Sequence, residues 1–224
     1  YMVEGEEITG QDLTNVVTKI KGEEGTEVTI TMLRGEKTID FTMKRQMIEV
    51  PTIEHEMLAD HVGYILITEF DGVTDEQFEE ALAELETQGM KSLVIDLRNN
   101  GGGSVESVCN IADVLLPEGA IVYTEYKGEE REARNSDKEC VQLPMAVIIN
   151  GASASASEIL SGALQDYGAA KIVGTQSYGK GIVQSVLDLQ DGTALKLTTA
   201  KYYTPNGNDI HGVGITPDVE IDLP

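Results

Sequence analysis

Three serines in this sequence could act as a nucleophile, and one lysine could act as the base that activates it. Ser153, Ser155 and Ser157 alternate with alanine in the segment "NGASASASEIL", and Lys180 lies between two glycines in "VGTQSYGKGIVQ". A serine becomes a nucleophile when a neighbouring base takes its proton, and a Ser–Lys pair is one form of this arrangement. A lysine acts as that base only when its amine is neutral, a form that desolvation favours.

Lys180 also fits two other motifs, and both lack parts that their chemistry needs. Gly174, Gly179 and Lys180 match the phosphate-binding pattern G-x-x-x-x-G-K, which requires a Ser or Thr next to hold Mg²⁺ and then a helix. The next residue is Gly181, and "GIVQSVLDL" alternates as a strand does. Ser177 and Lys180 match the S-x-x-K of penicillin-binding enzymes, but the K-T-G and S-D-N segments of those enzymes are absent. The sequence therefore disfavours both sites.

A histidine is the alternative base for a serine. The chain has His55, His61 and His211, and only His211 follows the serines as the base does in α/β-hydrolases. The G-x-S-x-G motif of those enzymes is absent because residue 157 is Ser. The residues therefore favour Lys180 as the base, and they leave open which serine it serves.

Two loops of small residues are predicted to carry the chemistry. The loop "RNNGGGS" follows the apolar run "LVIDL", and "NGASASASE" follows "MAVIIN". Ligands of α/β sheets bind beyond the carboxyl ends of the strands, and each loop opens a helix whose N-terminus favours negative charge. The amide of Ala156 would then face an oxyanion on a bound carbonyl. The spacing of Ser155 and Glu158 equally predicts a capping box, which is purely structural.

The hydrophobic pattern predicts an α/β fold. Residues 1–50 read as a helix and two alternating strands, with Pro51 at a junction. Beyond it, strands alternate with helices, one of them opened by a capping box of Thr74 and Gln77. The run "SLVIDL" is typical of a strand in a sheet covered on both faces. The last two long strands are predicted to join through a turn at Asp191-Gly192.

Composition narrows the class of partner. The 224 residues include 39 acidic and 16 basic side chains, a net charge of −23. A surface this negative repels phosphate backbones, so nucleic acid is not an expected partner. The chain opens on Tyr1 rather than Met, and residues 1–3 read as the end of a strand, so we expect a fragment of a longer protein.

Three segments together carry a resemblance to a known family. These segments are "LVIDLRNNGGGS", "NGASASASEILSGALQDYGAAKIVGTQSYGKGIVQ" and "GVGITPD". They closely resemble the carboxyl-terminal processing (tail-specific) proteases, which are serine peptidases with a Ser–Lys dyad. The resemblance implies a ClpP/crotonase-like core of β-β-α units over 51–224. Residues 1–50 resemble the later part of the PDZ domain that precedes this core, so the first part of that domain would be missing.

The same resemblance implies a set of site residues. The family's 25-residue spacing between nucleophile and lysine selects Ser155 as the partner of Lys180, and the family's orienting glutamine corresponds to Gln184. The oxyanion would be held by the amide of Ala156 and by that of one glycine of the first loop, Gly102 or Gly103. The family commonly has Pro where Gly101 stands here. No metal or cofactor is implied.

The activity implied is that of an endopeptidase that cleaves protein substrates near their C-termini, with the PDZ segment selecting or gating them. Expected partners are proteins or peptides with accessible C-termini, and a homo-oligomer is compatible with the resemblance. The location implied is extracytoplasmic, in a bacterial cell envelope or periplasm. The alternative is a catalytically silent relative that binds peptides on the same fold. Retention of Ser155, Lys180 and Gln184 together favours the enzyme.

Overall fold

The computed structural model describes residues 1–48, 50–189 and 192–222. The chain divides into two units, Tyr1–Val50 and Pro51–Pro224. The predicted α/β class is confirmed, with helices, a largely parallel sheet and antiparallel sheets. Asp191 of the predicted turn lies outside the described residues, but the two strands around it pair as an antiparallel ladder.

The first unit is a four-stranded sheet with one helix. Asp12 caps helix α1 (Leu13–Ile20) by accepting a hydrogen bond from the amide of Thr14 at 2.9 Å. The sheet order is β2-β1-β3-β4, with β1 (Met2–Val3), β2 (Glu6–Glu7), β3 (Glu27–Arg34) and β4 (Lys37–Lys44). The alternation of apolar residues in β3 and β4 places Val28 opposite Met43 and Ile30 opposite Phe41 on one face. That this unit is part of a PDZ domain stays a prediction.

The second unit is built on a six-stranded sheet in the order β14-β11-β10-β7-β6-β5, parallel except for the antiparallel pair β5–β6. Its strands are β5 (Ile53–Leu58), β6 (Val62–Ile67), β7 (Ser92–Asp96), β10 (Met145–Ile149), β11 (Ala170–Gly174) and β14 (Val219–Glu220). Three helices connect them, α2 (Thr74–Thr87), α3 (Val105–Leu115) and α4 (Ala156–Asp166).

A second, antiparallel sheet has the order β12-β13-β8-β9. Its strands are β8 (Gly119–Tyr126), β9 (Glu132–Ser136), β12 (Ile182–Asp188) and β13 (Ala194–Tyr203). The sequence predicted β12 and β13 but not the hairpin of β8 and β9. Because β12 continues directly from the segment of Lys180, this sheet is part of the frame around the candidate site.

The core lies on one face of the six-stranded sheet. Ile65, Ile95, Val147 and Ile172 are in register across four strands and are fully buried with the apolar faces of α2, α3 and α4. On the opposite face, residues such as Val94 are only half-buried. Within the described residues, the sheet is therefore fully covered on the face of the helices and only partly covered on the other.

The predicted capping box at the start of α2 is wrong. Thr74 is the first helical residue, and its hydroxyl lies 2.8 Å from that of Thr52 and accepts the amide of Asp71. The side-chain oxygen of Gln77 accepts the amide of Thr52 at 2.9 Å. Hydrogen bonds to a residue distant in sequence, Thr52, therefore take the place of the capping bonds between Thr74 and Gln77.

Candidate active site

The two loops of small residues lie side by side. They leave β7 and β10, which are parallel neighbours, so both loops emerge at the same edge of the sheet. A pair of asparagines joins them, because the amide of Asn99 donates to Asn150 Oδ1 at 3.1 Å and Asn150 Nδ2 donates to Asn99 Oδ1 at 3.0 Å. The carbonyl of the fully buried Asn100 accepts the amide of Ala154 at 3.0 Å. The loops are thus fixed to each other on both sides of residue 100.

The three serines occupy different environments. Ser153 is fully buried, and its hydroxyl donates to the carbonyl of Leu97 at 2.8 Å. Ser157 is also fully buried, with its hydroxyl bonded to the carbonyl of Asn100 at 3.0 Å. Ser155 is half-buried, so it alone of the three is accessible. The structure thus gives a reason to single out Ser155 that is independent of its spacing to Lys180.

The backbone of Ser155 is strained. Its φ is 57° and its ψ is −112°, a combination that residues with a side chain rarely adopt. It stands directly before α4, after the strand β10. Hydrolases with the G-x-S-x-G motif use such a strained turn between strand and helix to expose the serine oxygen. The turn is present here although the motif is absent.

The capping box predicted from Ser155 and Glu158 is also present. The carboxylate of Glu158 accepts the amide of Ser155 at 2.8 Å. A serine oxygen that accepts a capping bond keeps its own proton available for a base. Capping and nucleophilic attack are therefore compatible roles for this residue.

Glu158 does more than cap the helix. Its side chain is fully buried, and Oε2 also accepts the amide of Lys180 at 2.8 Å. Oε1 accepts the hydroxyl of Ser177 at 2.5 Å and the amide of Gly179 at 2.6 Å. One buried carboxylate thus joins the backbone of the candidate nucleophile to that of the candidate base. Sequence reasoning identified only its local bond.

The glycines beside Lys180 allow a second segment to pack against it. A Cβ on Gly181 would lie 2.5 Å from the amide nitrogen of His211, and one on Gly179 would lie 3.1 Å from that of Gly214. The hydroxyl of Ser177 also accepts the amide of Ile215 at 2.6 Å. The segment "GVGITPD" therefore supports the lysine segment from outside.

The side chains of the lysine segment are less constrained. Lys180 is half-buried, and within the described residues its Nζ makes no hydrogen bond or ion pair. Gln184 is exposed and follows a β-bulge between Val183 and Gln184, and no hydrogen bond joins it to Lys180. His211 is exposed too, with only its amide bonded, to Asp209 at 2.8 Å. The structure therefore connects Ser155 with Lys180 but does not link Gln184 to them.

Neither the amide of Ala156 nor that of Gly103 has a partner in the described part of the chain. The amide of Gly102, by contrast, donates to Asn100 Oδ1 at 2.8 Å. A Cβ on Gly102 (φ 99°) would lie 2.7 Å from Ser155 Cβ and 2.9 Å from the amide nitrogen of Ala156. Gly102 therefore lets the first loop approach Ser155, and of these two glycines only Gly103 has a free amide among the described residues.

A buried ion pair braces the first loop. Asp96, with 1% of its side chain exposed, accepts Arg98 Nη2 at 2.5 Å and the hydroxyl of Tyr64 at 2.7 Å. Burial alone would raise the pKa of the Asp96 carboxyl, but the hydrogen bonds from Arg98 and Tyr64 outweigh burial and hold that pKa below its usual range. Burial and the bond to Asp96 raise the pKa of Tyr64. No motif in the sequence indicates this cluster of Tyr64, Asp96 and Arg98.

A comparison with models of protein families shows which family this chain belongs to. The family model of peptidase family S41 matches residues 61–221, which include both loops, Ser155 and Lys180. The chain belongs to peptidase family S41. The resemblance found in the sequence is thereby confirmed.

Similar S41 peptidases support this. A "Probable CtpA-like serine protease" of Staphylococcus aureus is 39% identical over 226 residues, covering 99% of this chain and 45% of that protein. A protein of the same name from Staphylococcus saprophyticus is 38% identical, with 99% and 46% covered. The chain thus spans about half the length of the curated relatives it matches.

Two solved structures superpose on this chain. The photosystem II D1 C-terminal processing protease superposes with a TM-score of 0.71 at 31% identity, covering 99% of this chain and 62% of that one. A lipoprotein from Streptococcus agalactiae gives 0.64 at 20% identity, covering 77% and 66%, and shows the fold alone. In the described residues of this S41 chain, no helix is long and apolar enough to cross a membrane, and no group of three or more acidic, Cys or His side chains is arranged to hold a metal.

Proposed function

We propose that this chain is the catalytic part of a serine endopeptidase in which Ser155 is the nucleophile and Lys180 its general base. The observation that carries the proposal is the buried carboxylate of Glu158, which bonds the amides of both residues. The strained turn and accessibility of Ser155 support the same assignment. A nucleophile held beside its base is the arrangement that a Ser–Lys peptidase requires.

The proposed reaction has two halves. Ser155 Oγ attacks the scissile carbonyl carbon while its proton passes to the neutral amine of Lys180. The C–N bond then breaks, and the leaving amine takes that proton from the lysine, which leaves an ester on Ser155. A water molecule gives its proton to Lys180, attacks the ester carbonyl and releases the acid, and the lysine returns the proton to Ser155 Oγ. Gln184 would orient the amine of Lys180.

The oxyanion formed in each half needs fixed donors. We assign these donors to the amides of Ala156 and Gly103, which have no other partner among the described residues. Ala156 is the first residue of α4, so the helix dipole adds to the stabilisation of negative charge. The amide of Gly102 is already bonded to Asn100, so its role is to let the loop approach Ser155.

The substrates proposed are proteins or peptides cleaved near their C-termini. The names of the similar proteins, CtpA-like serine protease and C-terminal processing protease, support this for the whole protein. Residues 1–50 would be part of a PDZ domain that selects or gates these substrates. An extracytoplasmic site of action and a homo-oligomeric assembly belong to the same proposal.

The test of the dyad is labelling of the protein by a serine-directed phosphonate at alkaline pH. We expect the label on Ser155 in the wild-type chain and its loss in Lys180→Ala, because the hydroxyl then has no base. A wild-type chain that neither takes the label nor cleaves peptides would instead be a catalytically silent peptide-binding relative.

The role of the first unit needs a separate experiment. Matched peptides with free and amidated C-termini are compared as substrates of the whole chain and of a chain lacking residues 1–48. Helix α1 would supply one wall of a PDZ groove, and the described residues of the first unit contain no second helix. We therefore expect little preference for the free carboxylate in either. A large preference that depends on residues 1–48 would show that the peptide groove is complete.

A further inference from the structure

Asn100 is a buried polar residue that bonds to three segments around the candidate site. Its side-chain Nδ2 donates to the carbonyl of Ile67, the last residue of β6, at 2.8 Å. Its Oδ1 accepts the amide of Gly102 in the first loop at 2.8 Å. Its backbone carbonyl accepts the amide of Ala154 and the hydroxyl of Ser157, both at 3.0 Å. The end of a strand, the oxyanion loop and the nucleophile loop are therefore all bonded to this one residue.

These bonds fix the orientation of the Asn100 side chain. If its amide group were turned over, the NH2 group would face the N–H of Gly102 and the oxygen would face the carbonyl of Ile67, so that neither bond could form. Asn100 is 0% exposed, so water cannot take the place of either partner. Asparagine thus supplies an acceptor to Gly102 and a donor to Ile67 at the same time.

The peptide that joins Gly102 to Gly103 is fixed in direction as well. The carbonyl of Gly102 accepts the amide of Phe70 at 3.1 Å, and the carbonyl of Phe70 accepts the amide of Ser104 at 2.7 Å. The peptide is trans, and the carbonyl and N–H of a trans peptide point in opposite directions. The N–H of Gly103 therefore points away from Phe70, and it makes no hydrogen bond in the described part of the chain.

This peptide lies close to the candidate nucleophile. A Cβ on Gly102 would lie 2.7 Å from Ser155 Cβ and 2.9 Å from the amide nitrogen of Ala156, the other proposed oxyanion donor. Donors of an oxyanion hole are effective when they are fixed in place before the charge develops. Without its bond to Asn100, Gly102 would be free to change its φ and ψ, which set the direction of the next N–H.

We propose that Asn100 is a positioning residue for the oxyanion donors. Its side chain holds the N–H of Gly103 in the direction of the oxyanion, and its carbonyl holds the loop of Ser155 beside it. The inference rests on the proposed peptidase function and adds to it a residue that touches neither the substrate nor Lys180. It predicts a defect in which stabilisation of the oxyanion is lost while the base is unaffected.

The variant that tests this is Asn100→Asp, which keeps the shape of the side chain and an acceptor for Gly102 but places a second oxygen against the carbonyl of Ile67. Because a displacement of about 1 Å in such a site costs roughly 10²-fold in rate, kcat/KM for a peptide ester should fall by that factor. The same peptide is also measured as its thionoester, in which sulfur, a weaker hydrogen-bond acceptor, replaces the carbonyl oxygen.

Two readouts separate positioning of the oxyanion donors from a general loss of structure. The oxygen-to-sulfur ratio of kcat/KM should fall by about tenfold or more in Asn100→Asp, because only the oxygen substrate depends strongly on the oxyanion donors. The pH dependence of kcat/KM should keep the midpoint of the wild-type chain, because the backbone of Lys180 is held by Glu158 and not by Asn100.

Ser157→Ala is the matched control, because it removes one bond to the carbonyl of Asn100 and leaves the Asn100 side chain in place. It should unfold at a lower urea concentration than the wild-type chain but keep the wild-type oxygen-to-sulfur ratio. Asn100→Ser guards against misfolding of the Asp variant. Its hydroxyl can still accept the amide of Gly102 but is too short to reach Ile67, so its ratio should fall as well.

Urea unfolding identifies which variants are folded, and one folded Asn100 variant is enough for the test. A folded Asn100 variant with the wild-type oxygen-to-sulfur ratio would overturn this inference alone, as would an equal fall of the ratio in Ser157→Ala. A wild-type chain that neither takes the phosphonate label nor cleaves the ester would overturn the proposed function and this inference together.

Discussion

The segments that carry the candidate nucleophile and the candidate base are held to different degrees. In residues 150–158 the hydroxyls of Ser153 and Ser157 are bonded to buried carbonyls, and Ser155 is locked in a strained conformation. In residues 177–184 the backbone is also anchored, first by Glu158 and then by the pairing of β12 with β13, whereas the side chains of Lys180 and Gln184 make no hydrogen bond within the described residues.

This difference indicates where the fold supplies order and where it does not. The candidate nucleophile and the proposed oxyanion donors are held in place by the loops themselves, and such preorganisation would lower the reorganisation needed in the transition state. The amine of the base is positioned only through its backbone. We therefore expect the largest losses of activity from substitutions of the candidate base and of the residue that holds its backbone. Substitutions of residues that support the loops should have smaller effects.

The largest effect is expected for Lys180→Arg. A guanidinium stays protonated and cannot accept the serine proton, so kcat should fall by about 10²- to 10⁴-fold. The loss of kcat is measured as the rate of peptide hydrolysis in a stopped or continuous assay. His211→Ala should retain activity and the pH dependence of the wild-type chain. An active Lys180→Arg together with an inactive His211→Ala would restore histidine as the base.

Glu158→Gln should break the connection between the two segments. Each carboxylate oxygen accepts two bonds, Oε2 from the amides of Ser155 and Lys180 and Oε1 from Ser177 and Gly179. Glutamine keeps one acceptor oxygen and replaces the other by an NH2 donor, so two of the four bonds are lost. A displacement of about 1 Å in such a constellation costs roughly 10²-fold in rate, and we expect a loss of that size mainly in kcat. Glu106→Gln, at an exposed position in the first turn of α3, is the matched control. Equal activity of the two variants would contradict the role of Glu158.

Asp96→Asn should destabilise the second unit by about 1–3 kcal/mol at pH 7, because a buried charge-assisted bond to Arg98 is lost. The folded-state pKa of Asp96 is lowered, so its contribution to stability is present above the unfolded-state pKa of about 3.9 and is lost as pH falls through the folded value. Urea unfolding at pH 7 and at lower pH measures the difference between the two proteins. A difference that grows on acidification would contradict this account.

Gly101→Pro should have the smallest effect and the opposite sign. The space around the Cβ position of Gly101 is open, and its φ is not in the left-handed region. Proline there reduces the entropy of the unfolded chain and should stabilise the protein by about 0.4–1 kcal/mol without loss of activity. Urea unfolding measures the gain in stability, and peptide hydrolysis measures whether the activity is retained. A loss of activity would mean that the oxyanion loop moves during the reaction.

Much of this fold could be predicted from local patterns. Periodicity identified four of the six strands of the largely parallel sheet, β6, β7, β10 and β11, and the helices between them, but not β5 or β14. The rule for ligand sites in α/β sheets placed the two loops at one edge. The hairpin of β8 and β9 escaped prediction because "TEYKGEEREARNS" is mostly polar and exposed, without the alternation that a half-buried strand shows.

The details of the site depend on partners distant in sequence. Glu158 has one bonding partner at capping distance and three others 19 to 22 residues away, so the sequence revealed only the cap. The same cause made the Thr74–Gln77 prediction wrong, since Thr52 competes for both side chains. Which glycine offers a free amide likewise depended on the side chain of Asn100.

The identity of the nucleophile is the central claim, and three alanine variants measured side by side test it most directly. Ser155→Ala should show neither peptide hydrolysis nor phosphonate labelling. Ser153→Ala and Ser157→Ala should keep both, while losing about 0.5–1.5 kcal/mol of unfolding free energy, because each variant removes one of the hydrogen bonds to a backbone carbonyl, that of Leu97 or that of Asn100. A Ser155→Ala protein that still cleaves peptides, or an inactive but folded Ser153→Ala or Ser157→Ala, would contradict the account.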